Sequence, residues 1–425
     1  MDLGALVADE LEGARRRSLD LLAPLSDADI VRQHSPIMSP LVWDLAHVGN
    51  YEELWLLRAL AGTPPIDAGL DDIYDAFRHP RPNRPALPLL GPDEARRYIA
   101  EVRGRALDVL ERLRFDDDDP LLAGAFVHGM VVQHEHQHDE TMLATLQLMG
   151  GEGYRPIAPP PPPGRALAAP EVWIPPGPFT MGTDDEGWAY DNERPAHTVD
   201  LPGFWIDAAP VTNAQYAAFV DDGGYADRSW WSDEGWDWRT ACGAERPQFW
   251  SADGSRVRFG WREDIPADEP VQHVCWHEAD AYARWAGKRL PTEAEWEKAA
   301  SQSPTGAKSR FPWGDDEPSA RTANLGQRHY RPAPVGAYLK GATPEGCHQM
   351  VGDVWEWTAS DFDAYPGFQS FPYREYSEVF FGSGYKVLRG GSWATHPRAA
   401  RATFRNWDHR IRRQIFAGFR CARDG

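Results

Sequence analysis

The sequence predicts a mixed α and α/β chain of two domains, in which an N-terminal four-helix bundle is followed by an α+β domain. Its 425 residues are enough for two domains of ordinary size. Four amphipathic segments fill the first third, whereas short β-like runs separated by Gly, Pro, Asp and Trp fill the rest. Five consecutive prolines, at residues 159–163, exclude helix and sheet between the two parts. We therefore predict domains at residues 1–154 and 171–425, joined by a proline-rich linker at 155–170.

The four N-terminal segments carry apolar residues at helical spacing, which is typical of a helix bundle. The predicted helices cover residues 3–22, 39–60, 93–113 and 121–149. Ser39 is expected to cap the second helix with Pro40 at its first helical position, and Gly150 and Gly151 are expected to end the fourth. The connection from residue 62 to 91 is too long for a simple turn, and such loops are commonly functional or disordered.

The composition limits the classes of partner and the compartment. A formal net charge of −20 argues against nucleic acids and anionic membranes as partners. The first residues lack the apolar core of a secretory signal, and no stretch approaches the roughly 18 apolar residues of a membrane span. The four cysteines are sparse and form no CxxC pair, so we expect a cytoplasmic protein with reduced thiols. These cysteines are Cys242, Cys275, Cys347 and Cys421. We also expect a monomer, although the sequence leaves the oligomeric state open.

The fourth predicted helix contains VVQHEHQHDETML at residues 131–143, with three histidines in five positions. His134 and His138 are four residues apart, so a helix places both on one face, where two imidazoles can reach one metal. The other residues of that face are mostly apolar, which directs it into the bundle, whereas His136 is expected to face solvent. Gln137 flanks the stripe and is placed to touch a ligand beside the metal. Two core histidines satisfied by hydrogen bonds are the alternative.

A third candidate ligand lies on the second predicted helix. His47 belongs to a mixed stripe that is expected to face the same core. Three histidines from two helices would form a facial site with open coordination positions, which is more typical of a catalytic than of a structural metal. Imidazole suits zinc, iron and copper alike, so the spacing leaves the metal open.

The histidine pattern on a four-helix bundle resembles the DinB-like family, whose members include metal-dependent thiol transferases. The second domain resembles formylglycine-generating enzymes (sulfatase-modifying factors), which have a C-type-lectin-like fold. The matching motifs cover most of residues 171–425 in the same order and include WIPPGPFTMG, PVTNAQYAAF, GKRLPTEAEWEKAA, VGDVWEWT, VLRGGSW and GFRCAR. The two domains in this order are similar to the EgtB sulfoxide synthases of ergothioneine biosynthesis over essentially the whole chain.

This resemblance implies a metal and a reaction. The EgtB family binds non-haem Fe(II) through three histidines, which correspond to His47, His134 and His138. It uses O2 to join a thiol sulfur to C2 of the imidazole of hercynine (trimethylhistidine) and to oxidise that sulfur. The actinobacterial branch uses γ-glutamylcysteine and other branches use cysteine. Formylglycine formation is not expected, because Asn406 stands about where that family has its copper-binding cysteine, and Cys421 has no partner cysteine nearby.

Several substrate-binding residues are inferred from chemistry and resemblance together. Asp408 and Arg412 are four apart, so a helix would present a carboxylate and a guanidinium to an amino-acid substrate. An ordinary surface ion pair is the alternative. The resemblance implies that this pair anchors the γ-glutamyl end with an arginine from the long loop, for which we choose Arg84 over Arg81. The residues implied for hercynine are Gln137, Asn406 and Trp407.

A tyrosine pair in the second domain corresponds to one that the family uses. We assign to Tyr373 the donation of a proton or hydrogen bond at the reacting oxygen, and Tyr376 is expected to line the same wall. Exposed loop tyrosines are the alternative. A structural Ca²⁺ in this domain is left open, since no EF-hand-like loop is present. The motif residues interpreted as scaffold are Glu293, Glu295, Trp355, Trp357 and Arg389 to Trp393.

Other functions remain open from the sequence. A zinc-dependent DinB-type thiol transferase would bind zinc and consume no O2. A non-catalytic binding protein would show no turnover and would tolerate the loss of His47. The same oxidative chemistry with cysteine as the thiol is a third alternative to the partners that we expect, which are hercynine, γ-glutamylcysteine and O2.

Overall fold

The computed structural model describes residues 2–150, 154–302 and 306–425. The chain divides into two compact units, one formed by Met1–Arg155 with Phe259–Trp261 and the other by Pro156–Arg258 with Arg262–Gly425. The first unit is helical and the second mixes helices with short strands, which agrees with the predicted fold class. Within the part of the chain that the structure describes, no helix is long and apolar enough to cross a membrane.

The long helices of the first unit are the four that the apolar spacing predicts. The unit contains α1 (Leu3–Leu22), α2 (Asp27–Val31), α3 (Leu41–Glu52), α4 (Leu70–Ile73), α5 (Pro92–Leu110) and α6 (Phe126–Met149). Helix α3 packs against α5 and α6, and α1 packs against α6. A π-helix over Glu53–Ala59 continues α3. The core between these helices is apolar, as their stripes require.

Two predicted helix ends are wrong or shifted. Helix α3 begins at Leu41, and Pro40 takes the N-cap position in an extended conformation. The hydroxyl of Ser39 accepts a hydrogen bond from Nη1 of Arg84 at 2.6 Å, so this arginine engages the group that was expected to cap the helix. Helix α6 begins later than residue 121, because Gly124 adopts a φ of 57° that interrupts the helical path.

The end of α6 agrees with the expected glycine stop as far as it is described. Gly150 follows the last helical residue with a φ of 64° and ψ of 178°, a conformation that glycine adopts at low cost. Gly151 lies outside the described residues. The long connection between α3 and α5 is structured, since it contains α4 and a 3₁₀ helix over Arg81–Ala86.

A buried ion network ties four helices of the first unit together. Arg15 of α1 donates to Glu135 of α6 at 2.8 Å and to Glu52 of α3 at 2.7 Å. Arg103 of α5 donates to the same two carboxylates, at 2.6 Å to Glu52 and 3.1 Å to Glu135. Each of the four charges therefore has two opposite partners, which offsets the cost of removing it from water.

The second unit consists of small sheets joined by long loops. Its strands are β1 (Glu171–Ile174), β2 (Gly177–Met181), β3 (His197–Leu201), β4 (Phe204–Asp207), β5 (Ser255–Arg258), β6 (Trp261–Asp264), β7 (Trp355–Phe362), β8 (Gly382–Arg389), β9 (Asn406–His409), β10 (Ala417–Gly418) and β11 (Ala422–Asp424). Its helices are α7 (Asn213–Asp221), α8 (Asp233–Cys242), α9 (Trp276–Trp285) and α10 (Glu293–Ser301). The sheets have the strand orders β1-β4-β11, β10-β7-β8-β9, β2-β3 and β5-β6.

The motif residues interpreted as scaffold are buried in this unit. Glu293 accepts hydrogen bonds from Arg389 at 2.9 Å and from Arg405 at 2.6 Å. Glu295 accepts a bidentate pair from Arg289 at 2.7 and 2.8 Å. Trp357 is fully buried and donates through its indole nitrogen to a backbone carbonyl. These contacts hold α10 against the central strands, as a structural role requires.

Candidate metal centre

Three histidines from two helices of the first unit converge on one point. Helix α3 contributes His47, and α6 contributes His134 and His138. One ring nitrogen of each lies within 4.8 Å of the other two. The ring centroids are 5.1 Å apart for His47 and His134, and 4.7 Å apart for the other two pairs. The three rings can therefore bind one metal ion from one side.

Hydrogen bonds fix two of these rings. Nδ1 of His47 lies 2.8 Å from the carbonyl oxygen of Tyr74, and Nδ1 of His138 lies 3.0 Å from Oδ1 of Asp44. A carbonyl can only accept, so Nδ1 of His47 donates and its Nε2 keeps a free lone pair. An outer partner of this kind is usual for histidines that bind a metal.

Aromatic rings support the other surfaces of the site. Trp43 stacks on His47 with centroids 4.6 Å apart and an interplanar angle of 14°. Tyr51 stacks on His134 at 3.8 Å and 16°. Both aromatic residues lie four positions from His47 on α3, which is the helical spacing that brings side chains to one face. The stacks restrict rotation of the two imidazoles.

The surroundings of His47 and His134 favour the neutral form of these two imidazoles. Burial lowers the pKa of His47 and of His134 well below the usual value of 6.5, and the neighbouring His138 lowers both further. A neutral imidazole has the lone pair that a metal requires. The buried Oδ2 of Asp44 has no hydrogen-bond partner among the residues that the structure describes, so a nearby cation would offset its desolvation. The donor set therefore fits a divalent transition metal.

Sequence reasoning missed the groups that orient the ligands. Asp44 lies three positions before His47 in α3 and is 1% exposed, so an acid on an otherwise apolar helix face was the available signal. The carbonyl of Tyr74 had no signal, because its position depends on how the long loop folds. Tyr51 and Trp43 were visible only as part of a mixed stripe.

The predicted loop arginine, Arg84, forms its hydrogen bonds with other groups of the protein. Arg84 is 5% exposed and donates to the carbonyls of His79 and Ala76 as well as to Ser39. Its guanidinium lies 3.5 Å from the centroid of Trp43, on which it stacks. Burial lowers the pKa of Arg84 to about 10, which leaves it charged at neutral pH. This geometry supports a role in holding Trp43 and leaves the predicted contact with substrate without support.

The remaining α6 side chains are placed differently from the expectation. His136 was predicted to face solvent, which is wrong, because it is 3% exposed and its Nδ1 lies 3.1 Å from Oδ2 of Asp139. Helix α1 covers this face, and its Ser18 lies 2.7 Å from the other oxygen of Asp139. Gln137 is half-buried beside His138, as the helical spacing predicts.

In the second unit, three predicted site residues lie together. Tyr373 and Tyr376 are half-buried, with ring centroids 6.3 Å apart. Tyr376 contacts Trp407 edge-on at 5.9 Å and stacks on the buried Tyr190 at 4.0 Å. Trp407 also stacks on Phe362 at 4.1 Å. The second tyrosine of the pair is thus held by aromatic packing on both sides.

The predicted ion pair of Asp408 and Arg412 is present, but the two residues do not lie on a helix. Asp408 belongs to strand β9, and Nε of Arg412 lies 3.5 Å from its Oδ1 across the turn that follows. The helical premise was wrong because β8 pairs with Asn406 and its neighbours and holds them extended. Alternation along β9 places Asn406 and Asp408 on one face and Trp407 on the other. The oxygen of Asn406 accepts a bond from the backbone N–H of Trp407 at 2.9 Å.

Two family models match the chain, in the order of the two units. The model described as the DinB superfamily matches residues 10–142, and the model described as the sulfatase-modifying factor enzyme 1-like domain matches residues 159–425. These matches agree with the helical and mixed compositions of the two units.

Curated relatives match along nearly the whole chain. A hercynine oxygenase of Mycolicibacterium thermoresistibile is 55% identical over 99% of this chain and 95% of its own length. A hercynine oxygenase of Mycobacterium tuberculosis is 52% identical over 98% of both chains. A formylglycine-generating enzyme of Streptomyces coelicolor is 34% identical over 60% of this chain and 89% of its own length.

Proposed function

The chain belongs to the hercynine oxygenase family, and from this premise we propose that it is an iron(II)-dependent sulfoxide synthase of ergothioneine biosynthesis. It would join the sulfur of γ-glutamylcysteine to C2 of the imidazole of hercynine and oxidise that sulfur with O2. One oxygen atom would end on the sulfur, and the other would leave as water with the hydrogens of the thiol and of C2. The observation that carries the proposal is the convergence of His47, His134 and His138.

Three imidazole ligands suit this chemistry because of the coordination positions that they leave open. A facial set of three nitrogen ligands leaves positions free for a thiolate and for O2. Bound iron(II) would supply the redox chemistry toward O2 that zinc lacks. Trp43 and Tyr51 stack on two of the rings, which would restrict the movement of the proposed ligands. Such preorganisation reduces the reorganisation that metal binding requires.

The second unit is proposed to supply substrate contacts and a proton donor. Asp408 and Arg412 would hold the ammonium and carboxylate of the γ-glutamyl group, and the resemblance to the EgtB family supports this. A phenol is a useful acid only toward a strongly basic oxygen, and this is the role that we propose for Tyr373. Packing of Tyr376 between Tyr190 and Trp407 would keep that wall rigid. The residues proposed to contact hercynine remain Gln137, Asn406 and Trp407.

A measurement of metal content and O2 uptake tests the proposal. The protein is purified, its metal is quantified, iron(II) is loaded without oxygen, and O2 uptake is followed with hercynine and each thiol. We expect O2 consumption that requires iron and hercynine and is faster with γ-glutamylcysteine than with cysteine. Tight zinc binding without O2 consumption after iron loading would favour the thiol transferase. Faster turnover with cysteine would correct the thiol alone.

A tyrosine variant tests the proposed donor separately. Tyr373→Phe should lower kcat for sulfoxide formation by about 100-fold with a smaller change in KM, since general acids contribute about that factor or more. Tyr376→Phe is the matched control, and we expect it to retain most of the activity. Unaltered sulfoxide formation by Tyr373→Phe would remove this role. The structural Ca²⁺, the cytoplasmic location and the monomeric state stay predictions.

A further inference from the structure

We propose that Asp44 is a positioning residue of the metal centre, which fixes the orientation of His138 and places a negative charge behind it. This inference rests on the proposed metal site, and it concerns a residue that does not itself reach the point where the three rings meet. The pair is short, at 3.0 Å between Oδ1 of Asp44 and Nδ1 of His138, and it links α3 to α6.

The hydrogen bond settles which nitrogen of His138 is available. An ionised carboxylate has no proton to give, so Nδ1 of His138 donates and Nε2 carries the lone pair. The carbonyl of Tyr74 has the same effect on His47. Two of the three rings are thereby held in the tautomer that binds a metal through Nε2.

The two orienting groups differ in charge. The carbonyl of Tyr74 is neutral, whereas Asp44 supplies a buried carboxylate whose side chain is only 1% exposed. Solvent therefore screens the field of this carboxylate weakly. The negative charge behind His138 makes its Nε2 lone pair a stronger metal ligand than that of His47. The orienting bond of His138 thus contributes affinity as well as geometry.

The surroundings of Asp44 also point to a cation. Its Oδ2 is buried and lacks a hydrogen-bond partner among residues 2–150, 154–302 and 306–425. A buried carboxylate with one unsatisfied oxygen is costly unless a positive charge lies nearby. Arg84 interacts with this charge electrostatically, but its guanidinium donates hydrogen bonds to Ser39 and to two backbone carbonyls. A divalent ion held by the three histidines would complete the compensation.

The test compares metal affinity and metal spectrum in the full chain. Asp44→Asn keeps an oxygen that can accept from His138 and removes the charge, whereas Asp44→Ala removes both. We expect Co²⁺ affinity, measured by competition with a chelator, to fall about 10-fold for the first and toward 100-fold for the second. The visible absorption of bound Co²⁺ should shift in Asp44→Ala, because His138 is then free to rotate. A purely structural role would lower the melting temperature without moving that spectrum.

A matched control for the Asp44 variants lies on α6, the helix that carries His138. Asp139→Asn removes a buried carboxylate that also contacts a histidine, His136, at 3.1 Å, but this histidine is not one of the three. It should leave Co²⁺ affinity and spectrum unchanged. Circular dichroism confirms folding, and should Asp44→Ala fail to fold, Asp44→Asn carries the test.

The outcomes separate the inference from the proposed function. If wild type binds Co²⁺, His138→Ala abolishes binding and both Asp44 variants bind as wild type does, the inference is overturned and the metal site stands. If Asp139→Asn weakens binding as much as Asp44→Asn, a general loss of buried charge explains the effect and the inference is again overturned. If wild type binds no metal, or binds it independently of His47, His134 and His138, both fail.

Discussion

Helix α6 carries histidines on two faces that have similar chemistry and different surroundings. We call them the site face (His134 and His138) and the network face (Glu135, His136 and Asp139). Each face has a histidine–carboxylate contact, 3.0 Å for His138 with Asp44 and 3.1 Å for His136 with Asp139. Burial and a carboxylate partner are therefore shared by a proposed ligand and by a histidine outside the trio. Convergence with His47 is what marks the site face.

The two faces differ in how their charges are compensated, and this difference separates residues that stabilise the fold from residues that are proposed to bind metal. On the network face, Glu135 bonds Arg15 and Arg103, so its charge is compensated within the fold. At the site face, the partner of His138 is Asp44 of α3, and Oδ2 of Asp44 has no hydrogen-bond partner among the described residues. We expect changes on the network face to act on unfolding and changes on the site face to act on metal binding.

The largest expected effect is on the network face. Burial opposes the charge of Glu135, but the guanidinium groups of Arg15 and Arg103 outweigh it and hold its pKa below the usual value. Glu135→Gln leaves two buried cations with one shared partner, Glu52. We expect a loss of about 3–5 kcal/mol in the free energy of unfolding, measured by urea unfolding with far-UV circular dichroism.

A matched substitution controls for the loss of charge. Glu101→Gln breaks an exposed pair with Arg105 in α5, four residues apart and 2.5 Å long. Solvent screens such a pair, so the expected loss is below about 0.5 kcal/mol. Equal effects of the two substitutions would show that the buried network contributes little, and the separation of faces would fail.

The second effect concerns His128 of α6, which forms no ion pair with a carboxylate of the described residues. Burial lowers its pKa to about 4, and its Nδ1 has no hydrogen-bond partner among the described residues. Between about pH 6.5 and 4, His128 is protonated in the unfolded chain and stays neutral in the folded chain. The free energy of unfolding therefore falls as the pH falls toward 4. This histidine alone should cost about 3 kcal/mol by about pH 4.

A pH series on one variant isolates that contribution. His128→Leu removes the proton, so the difference in unfolding free energy between variant and wild type should shift in favour of the variant by about 3 kcal/mol from about pH 7 to 4. The value at about pH 7 is the internal reference, since it contains the packing change alone. A difference that does not vary with pH would show that folding leaves the pKa of His128 unchanged, and the prediction would fail.

The third prediction compares one histidine substitution on each of the two faces. His134→Ala should weaken Co²⁺ binding by more than the roughly 10–100-fold expected of an outer partner, with little loss of stability. His136→Ala should lower the free energy of unfolding by about 1–3 kcal/mol, since it leaves Asp139 less satisfied, and should keep Co²⁺ affinity. Chelator competition measures the Co²⁺ affinity of both variants, and urea unfolding measures their stability. A loss of metal affinity in His136→Ala equal to that in His134→Ala would break the distinction between the faces.

Local periodicity predicted the bundle and the three histidines, because both depend on positions along single helices. It failed for His136, since a helix wheel cannot tell which neighbour covers the second face of a central helix. It failed for Asp408 and Arg412, because pairing with β8 is a long-range contact that overrides the local spacing. The orienting carbonyl of Tyr74 depends on the folded path of a long loop, which no spacing encodes.

The smallest expected effect decides what the loop arginine does. The guanidinium of Arg84 stacks on Trp43 at 3.5 Å, and Trp43 in turn stacks on His47. If its role is to hold that stack, Arg84→Met should cost about 1–2 kcal/mol of unfolding free energy and leave KM for γ-glutamylcysteine within about twofold. Arg412→Met is the contrasting variant, and it should raise that KM by about 10-fold or more, because a charged hydrogen bond to substrate is lost.

The reverse pattern would assign Arg84 to the substrate. A large rise in KM with unchanged stability requires its guanidinium to leave Ser39 and the carbonyls of His79 and Ala76 when the thiol binds. That movement would also release one face of Trp43, so the stacking on His47 would change with substrate. Steady-state kinetics of the two variants, combined with their unfolding free energies, therefore distinguishes an arginine that supports a ligand from one that binds the thiol.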